Sequence, residues 1–587
     1  INIRIKVGSK IDKQKFTALP EKKKDFESKF IDKNTLKLKN NILLKRRILG
    51  LTSYFRSASE SLLPEYDEIQ NISIPMSDYQ LGEYEKVRIR ERKDDKQKAT
   101  RKAKANKFNE VYKESGNYRT WSRMVCNYAF PNDVERPFPT VKSVDGVNET
   151  MLDKLMNEKI TSGQNTLEDM DLEKEAKLQE DIEKLQGSGY HNRLSEAWAK
   201  LEANKEYFTE ANLKHTSPKF LEIFKKMKDG RHRGLHLLYS NFRNMEGIGI
   251  FSLVLKAHGW HRFSIAKQDG LWKLNMTKDM FECTKEEGAE SKIFAFYTGT
   301  ESDDEKEIIR AIYNGDLDLL PPECGTLREQ LKDIYPNNFY GQLIKVLMIT
   351  QSGAEGIDLK NTRYVHMMEP YWHPVRNQQV VGRAVRICSH NDLKGGDKNV
   401  KAYLYLTSFT PAQLDKNNTK TAQISTETEI SDADKSKVTN KPITTDQYLH
   451  EISTRKKNLN TEILNEIKSS SIDCKLFSDK RTKEQVMCYN FGDPASLSFS
   501  SVPYYRDEQK DSYFKKNIDR IEKTFDATIE INGQEFQINY DNKESPNDGG
   551  ALFDIHTSLK RGFLLPDKPG SKNLKRYAKR PTSSVLE

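Results

Sequence analysis

The stretch that decides the fold is Met348–His390, MITQSGAEGIDLKNTRYVHMMEPYWHPVRNQQVVGRAVRICSH. It opens on the apolar run Val346 to Ile349, which reads as a buried parallel strand. Thr350 to Gly356 then supplies small residues, the composition that lets a backbone come close to a phosphate. Tyr364 to Met368 reads as the next strand, and Gln379 to Ile387 as a helix. That helix would carry Arg383 and Arg386 at i and i+3, on one face. Two permanent cations on one face suit a nucleotide γ-phosphate, where negative charge builds during phosphoryl transfer. The plain alternative is a solvated arginine pair on a surface helix.

Working outward, further strands and helices alternate. Leu235–Tyr239 is a strand ending in Ser240-Asn241-Phe242, and Met245 to His258 is a helix. Lys292 to Tyr297 is a strand followed by Thr298-Gly299-Thr300 and the charged helix Ser302 to Tyr313. Val400 to Thr407 is the last strand. Alternation of this kind predicts an α/β fold with a parallel sheet covered on both faces. Ser240, Thr298, Thr350 and Glu369 then fall at strand C-termini, where α/β sheets place their ligands.

The blocks Thr350–Leu359 (TQSGAEGIDL) and Gln379–Arg386 (QVVGRAVR), joined by Glu369-Pro370-Tyr371-Trp372-His373-Pro374, resemble motifs V and VI of superfamily-two helicases, within a RecA-like second lobe. The Pro-x-Trp-x-Pro link is more similar to the Snf-type duplex DNA translocases. Phrases outside the shared motifs, RRILGLTSYF (46–55), NYRTWSRMVCNYAFP (117–131), FYTGTESDDEKEIIRAIYNG (296–315) and residues 446–474, resemble the DNA-dependent ATPases of poxviruses and other large nucleocytoplasmic DNA viruses. In those viruses such proteins serve as the early-transcription-factor ATPase subunit or as nucleoside triphosphatase one. Cys388-Ser389-His390 departs from the Gly-Gln of chromatin remodellers and favours the viral branch.

The resemblance implies roles residue by residue. Arg383 and Arg386 match arginine fingers, and Gly356, Asp358 and Gln379 match positions near the nucleotide. Ser352, Gly353, Ser240, Asn241 and Trp372 match positions along the DNA path. ATP and Mg2+ are the implied cofactors, bound mainly by a first lobe, with no metal ligand in this chain. Duplex DNA and subunits of the viral RNA polymerase or transcription factors are the implied partners. The implied place of action is the virion core or a cytoplasmic viral factory. The implied function is ATP-driven translocation on duplex DNA during transcription initiation or termination. The alternative is a non-catalytic DNA- or polymerase-binding scaffold that keeps the lobe fold.

A complete motor needs a G-x-x-x-x-G-K-[ST] phosphate loop, and no Gly-Lys-Ser or Gly-Lys-Thr occurs in the chain. The chain also starts at Ile1 in mid-pattern. Both predict a second lobe without its first, inactive toward ATP alone. The expected organisation is 1–62 as the tail of a missing first lobe, 63–92 as entry to the second, and 93–209 as a charged helical insertion. The second lobe follows over 210–412, then 413–442 as a flexible linker and 443–587 as a C-terminal extension. The insertion is expected to be dispensable for folding of the lobe. In the extension, Tyr448, Ile452, Leu459, Ile463 and Ile467 form a helical stripe, and Asn532-Gly533 marks a β-hairpin within Thr528–Tyr540.

Net charge is +10, from 96 Lys+Arg against 86 Asp+Glu, so its distribution matters more than its total. Lys86 to Lys107 carries eleven Lys/Arg against three Asp/Glu, either a solvated face or a phosphate-binding run. The six cysteines include no C-x-x-C pair, which argues against a disulfide framework or zinc site and for a reducing compartment. No signal peptide or apolar stretch of bilayer length is present in the sequence, which predicts no membrane partner.

Overall fold

A computed structural model describes residues 19–32, 35–49, 51–53, 62–102, 119–138, 190–243, 245–281, 290–350, 356–415, 434–474 and 487–490, together with short strand segments between 512 and 579. The described chain forms two units: one from residues 31–38 and 56–463, the other from residues 1–30, 39–55 and 464–587.

The larger unit is built on ten strands, eight in one sheet and two in a separate pair. They are β1 (Glu65–Tyr66), β2 (Gln70–Pro75), β3 (Leu235–Tyr239), β4 (His261–Arg262), a separate pair β5 (Ile265–Gln268) and β6 (Leu271–Leu274), β7 (Ile293–Tyr297), β8 (Val346–Ile349), β9 (Thr362–Met367) and β10 (Asn399–Ser408). The main sheet runs β1-β10-β9-β3-β8-β7-β4, with β2 also on β10. Every pairing in it is parallel. The central strands β3, β8 and β9 are buried along their whole length, as strands between two helical layers are, and only β8 is an unbroken apolar run.

The two faces sort by residue parity. Leu238, Met348, Tyr364, Tyr403 and Tyr405 face one core, and Leu237, Leu347, Ile349, Val365, Met367 and Leu404 face the other. The second core is closed by α7 (Asp303–Asn314), α8 (Gly325–Ile334) and α9 (Pro374–Ala384). The first is closed by α5 (Pro218–Lys228) and α6 (Ile248–Ala257), and also by residues of the expected insertion.

That last point corrects the sequence reading. The expected insertion contributes α2 (Thr120–Asn127) and α3 (Tyr190–Ala203), and α4 (Glu210–Thr216) follows directly. Met124, Tyr128, Phe130, Leu194, Leu201 and Phe208 are buried in the same core as β3 and β8. Tyr128 stacks on Phe220 of α5 at 5.9 Å. Residues 119–138 and 190–209 therefore pack into the core of the lobe rather than standing apart from it. The acidic stretch Leu167–Gln186 lies outside the described residues.

The helix α1 (Asp78–Lys102) starts at Ser77, whose hydroxyl accepts from the Gln80 amide at 2.9 Å. Its charge run is less available than its sequence suggests. Arg88 and Arg92 are buried, and both pair with Asp434, at 2.9 Å each. Arg88 also pairs with Glu91, and Arg92 with Glu85. Asp434 lies in the expected linker, where it is 4% exposed. Part of 413–442 is thus a fixed anchor for α1, and 416–433 lies outside the described residues.

Helix α10 runs over Thr445–Ser470, and Tyr448, Leu449 and Leu459 on it are buried. In the smaller unit Lys45 pairs with Glu466 at 2.6 Å and lies 4.5 Å from the Tyr489 ring centre. Cys474 and Cys488 form a disulfide, which overturns the expectation of no disulfide. Single-chain spacing gives no warning of such a pair, because only folding brings the two sulfurs together. The C-terminal strands form a five-stranded antiparallel sheet, and its first pair, Ala527–Ile531 with Gln534–Tyr540, is the expected hairpin. The turn residues Asn532 and Gly533 lie outside the described residues. No helix among the described residues is long and apolar enough to cross a membrane.

Candidate functional site

The expected site residues divide into two groups, one at each end of β9. At its C-terminal end stands Glu369, fully buried. Its carboxylate accepts from the Ser240 hydroxyl at 3.0 Å, the Asn241 side-chain amide at 3.0 Å, the Asn241 backbone N–H, and the Asn127 side-chain amide at 3.0 Å. Burial raises the Glu369 pKa, and the Asn241 N–H, Arg123, Lys219 and Asn127 oppose that rise. The carboxylate thus pins the turn after β3 to the end of β9.

Ser240 and Asn241 are consequently 0% and 2% exposed, with their side chains spent on Glu369. Where the sequence reading expected a DNA contact, the structure has these polar side chains bonded to Glu369. Asn241 goes on to accept from the Arg376 guanidinium at 3.1 Å and from the Tyr239 hydroxyl at 2.9 Å. Arg376, in the first turn of α9, stacks on Tyr371 at 3.7 Å. Trp372 is half-buried, with the Lys456 ammonium 4.2 Å from its ring centre.

Helix α9 forms where His373 caps it, Pro374 occupies its first turn, and Val380, Val381 and Ala384 pack against the sheet. Gln379 lies on its exposed side. The helix ends at Ala384, with Val385 in a non-helical conformation, so Arg386 lies beyond it. The i, i+3 argument that placed Arg383 and Arg386 on one helical face therefore fails. The fold reunites them differently. Arg383 is held in the last turn, where its carbonyl accepts from the Leu359 amide at 3.2 Å. Arg386 turns to form an ion pair with Asp358 and donates to the Gly382 carbonyl at 3.2 Å.

This second group sits just before β9. Gly356, at φ 75°, adopts the left-handed conformation that glycine takes without strain. Asp358 is exposed, and its carbonyl accepts from Asn314 at 3.1 Å. Arg383 is half-buried, and its Nε is buried without a hydrogen-bond partner. An orphaned guanidinium N–H beside an exposed loop suits an anionic oxygen, so the residues here fit a nucleotide phosphate. Ser352 and Gly353 lie outside the described residues. Among the described residues no group of three or more His, Cys, Asp or Glu side chains is gathered to hold a metal ion.

Several supporting residues had no sequence signal of their own. Lys219 is buried and donates to Asn127 at 2.9 Å and to Asp446 at 2.5 Å. Asp446 also accepts from the Thr407 amide of β10 at 3.1 Å. Asp446 was legible only as a residue that starts a helix. Its partners come from sequence positions more than 200 residues away, as with Lys219, or from another element, as with Thr407.

Residues 324–388 match the helicase conserved C-terminal domain, which covers β8, β9, α9 and both arginines. Over that segment the chain is thus similar to the conserved C-terminal domain of helicases. Its homologues are helicases of large DNA viruses. Two proteins of Acanthamoeba polyphaga mimivirus, named as ATP-dependent RNA helicases, are each 26% identical, over 84% and 65% of this chain. A termination factor NPH-I homolog of African swine fever virus is 32% identical over 36% of this chain and 28% of its own length. The chain spans 55% and 48% of the two mimivirus proteins. Among solved structures, the C-terminal part of the Fun30 ATPase domain aligns over 68% of this chain and 99% of that one, at 12% identity and a TM-score of 0.29, too slight a likeness to bear on the fold.

Proposed function

We propose that this chain is the second-lobe part of an ATP-driven duplex DNA translocase acting in viral transcription, with Arg383 as the guanidinium that meets the transferring phosphoryl group. The observation that carries the reading is the orphaned Nε of Arg383, whose carbonyl is bonded to the Leu359 amide directly after the Gly356–Asp358 loop. Phosphoryl transfer spreads negative charge over the equatorial oxygens, and a fixed guanidinium stabilises that charge without reorganising. Asp358 acts here by holding Arg386, which leaves Arg383 as the cation ready for phosphate.

ATP with Mg2+ is the substrate in this reading, its phosphate loop supplied by a first lobe with a Gly-Lys-Thr sequence that this chain does not contain. Duplex DNA and subunits of a viral polymerase or transcription factor are the partners, in a virion core or cytoplasmic factory. Gln379 and the loop containing Ser352 and Gly353 complete the proposed contacts with nucleotide and DNA. The likeness to a termination factor homolog supports the transcriptional role, and the names of the mimivirus relatives make RNA the competing strand.

The test is ATP hydrolysis by the natural full-length protein with duplex DNA, single-stranded DNA, RNA or no nucleic acid. Stimulation by duplex DNA above the others is expected. Stimulation by RNA alone would make the protein an RNA helicase. No hydrolysis under any condition would leave the scaffold reading.

A further inference from the structure

The head of α10 lies outside the matched domain at 324–388, yet it directs two buried charges at one short link inside it. That link, Met368 to His373, connects β9 to α9. At its start, Glu369 is reached by a buried polar chain. Asp446 of α10 accepts from Lys219 at 2.5 Å, Lys219 donates to Asn127 at 2.9 Å, and Asn127 donates to Glu369 at 3.0 Å. At its end, Lys456 of α10 places its ammonium 4.2 Å from the Trp372 ring centre and 3.4 Å from the Trp372 carbonyl oxygen. Lys456 is 8% exposed and Asp446 is 0% exposed.

Burying charge is costly unless it is paired, and an apolar residue of similar volume would pack α10 at least as well. Packing alone therefore does not account for two charges on the same link. Their positions do. Glu369 and Trp372 flank Tyr371, whose ring carries the Arg376 guanidinium at 3.7 Å. Arg376 is held a second time by Asn241, itself held by Glu369. Arg376 and Arg383 stand seven residues apart on α9, on nearly the same face and about 10 Å apart along the axis. A helix is stiff over two turns, so whatever sets the first turn of α9 sets Arg383.

We propose that the head of α10, Thr445 to Lys456, is a positioning element for α9, and through it for Arg383. It acts through Lys456 on Trp372 and through the Asp446–Lys219–Asn127 chain on Glu369. The inference rests on the reading of Arg383 given above. Lys456 and Asp446 touch no reacting atom in it. Because the coupling is reciprocal, nucleotide bound at Arg383 tightens the docking of the α10 head.

The experiment compares Lys456→Met, Lys456→Arg and Arg383→Ala in the natural full-length protein, reading kcat and KM for nucleic-acid-stimulated ATP hydrolysis. A shift of about 1 Å in a catalytic group costs on the order of 100-fold. Lys456→Met should thus lower kcat by at least about tenfold at a KM within about twofold of the parent. Lys456→Arg, which keeps a cation over the indole, should recover kcat to within about threefold. If Lys456→Met keeps the parent kcat while Arg383→Ala loses it, the positioning role is wrong and the role of Arg383 stands. If Arg383→Ala keeps the parent kcat, both fall. Amide hydrogen exchange of the unsubstituted protein decides the matter should Lys456→Met not fold. A non-hydrolysable ATP analogue with Mg2+ should slow exchange over 445–456 together with 374–384. Slowing confined to 374–384 would overturn the proposal.

Discussion

Arg383 and Arg386 are three residues apart and end in different chemical situations. One keeps a buried N–H without an acceptor, and the other is paired with Asp358. The pattern GRAVR showed two arginines suited to phosphate, but not that α9 stops at Ala384 between them. Glu369 shows the opposite case. It was legible as a polar group at a strand end, while its four donors come from two segments that only the fold assembles. Glu369→Ala should destabilise the larger unit by about 3–5 kcal/mol, because it strands the buried donors of Ser240, Asn241 and Asn127. Urea unfolding monitored by circular dichroism checks this, and a change under about 1 kcal/mol would contradict it.

A second residue-scale prediction concerns pH. His236 and His366 lie inside the sheet, with the ring nitrogens 2.9 Å apart and His366 also 2.7 Å from the Tyr405 hydroxyl. Burial pushes the His236 pKa well below its usual 6.5 and that of His366 down to about 3. Both are neutral when folded, whereas the unfolded chain binds their protons below about pH 6.5. Stability contributed by keeping them neutral is therefore complete above that pH. It falls as the pH drops toward the folded values, by up to about 1.4 kcal/mol per pH unit for each histidine. Unfolding free energies measured from pH 7.5 to 5 should decline on the acid side, and a flat profile would contradict the neutral pair.

At the scale of elements, the strands were the legible part. Leu235–Tyr239 and Val346–Ile349 were readable residue for residue, because a strand buried on both faces leaves a mostly apolar run. The helices α2 and α3 were misjudged for the converse reason. They flank charged sequence and bury only one stripe, so Leu194 and Leu201 look unremarkable until their core is seen. Leu201→Ala should cost about 2–5 kcal/mol, as for a fully buried leucine. Replacing 93–209 by a short linker should abolish cooperative unfolding. A cooperative transition of the remainder at the parent midpoint would return the segment to the status of an insertion. The basic run on α1 shows how charge counts mislead. Arg88 and Arg92 count toward its net charge and are unavailable to phosphate, because Asp434 and two glutamates hold them.

At the scale of the molecule, two units carry different kinds of evidence. The larger holds residues 324–388, which match the helicase conserved C-terminal domain and include Arg383 and Arg386. The smaller is tied by the Cys474–Cys488 disulfide, which closes a separation of 14 residues. A loop of that size restricts the unfolded chain by about 3 kcal/mol in the chain-entropy account. Reductant should therefore lower the unfolding midpoint of that unit, and an unchanged midpoint would argue that the bond does not form in solution.

Whether the lobe serves a nucleotide-driven motor through Arg383 is decided by one rate. In the natural full-length protein, Arg383→Ala should reduce nucleic-acid-stimulated ATP hydrolysis by about 10³- to 10⁵-fold, the range for arginine fingers in related NTPases. Folding and nucleic-acid binding should be retained, since a partly exposed arginine contributes within about 0.5 kcal/mol to stability. Turnover of the Ala variant within a few fold of the parent, at saturating ATP and nucleic acid, would contradict the account.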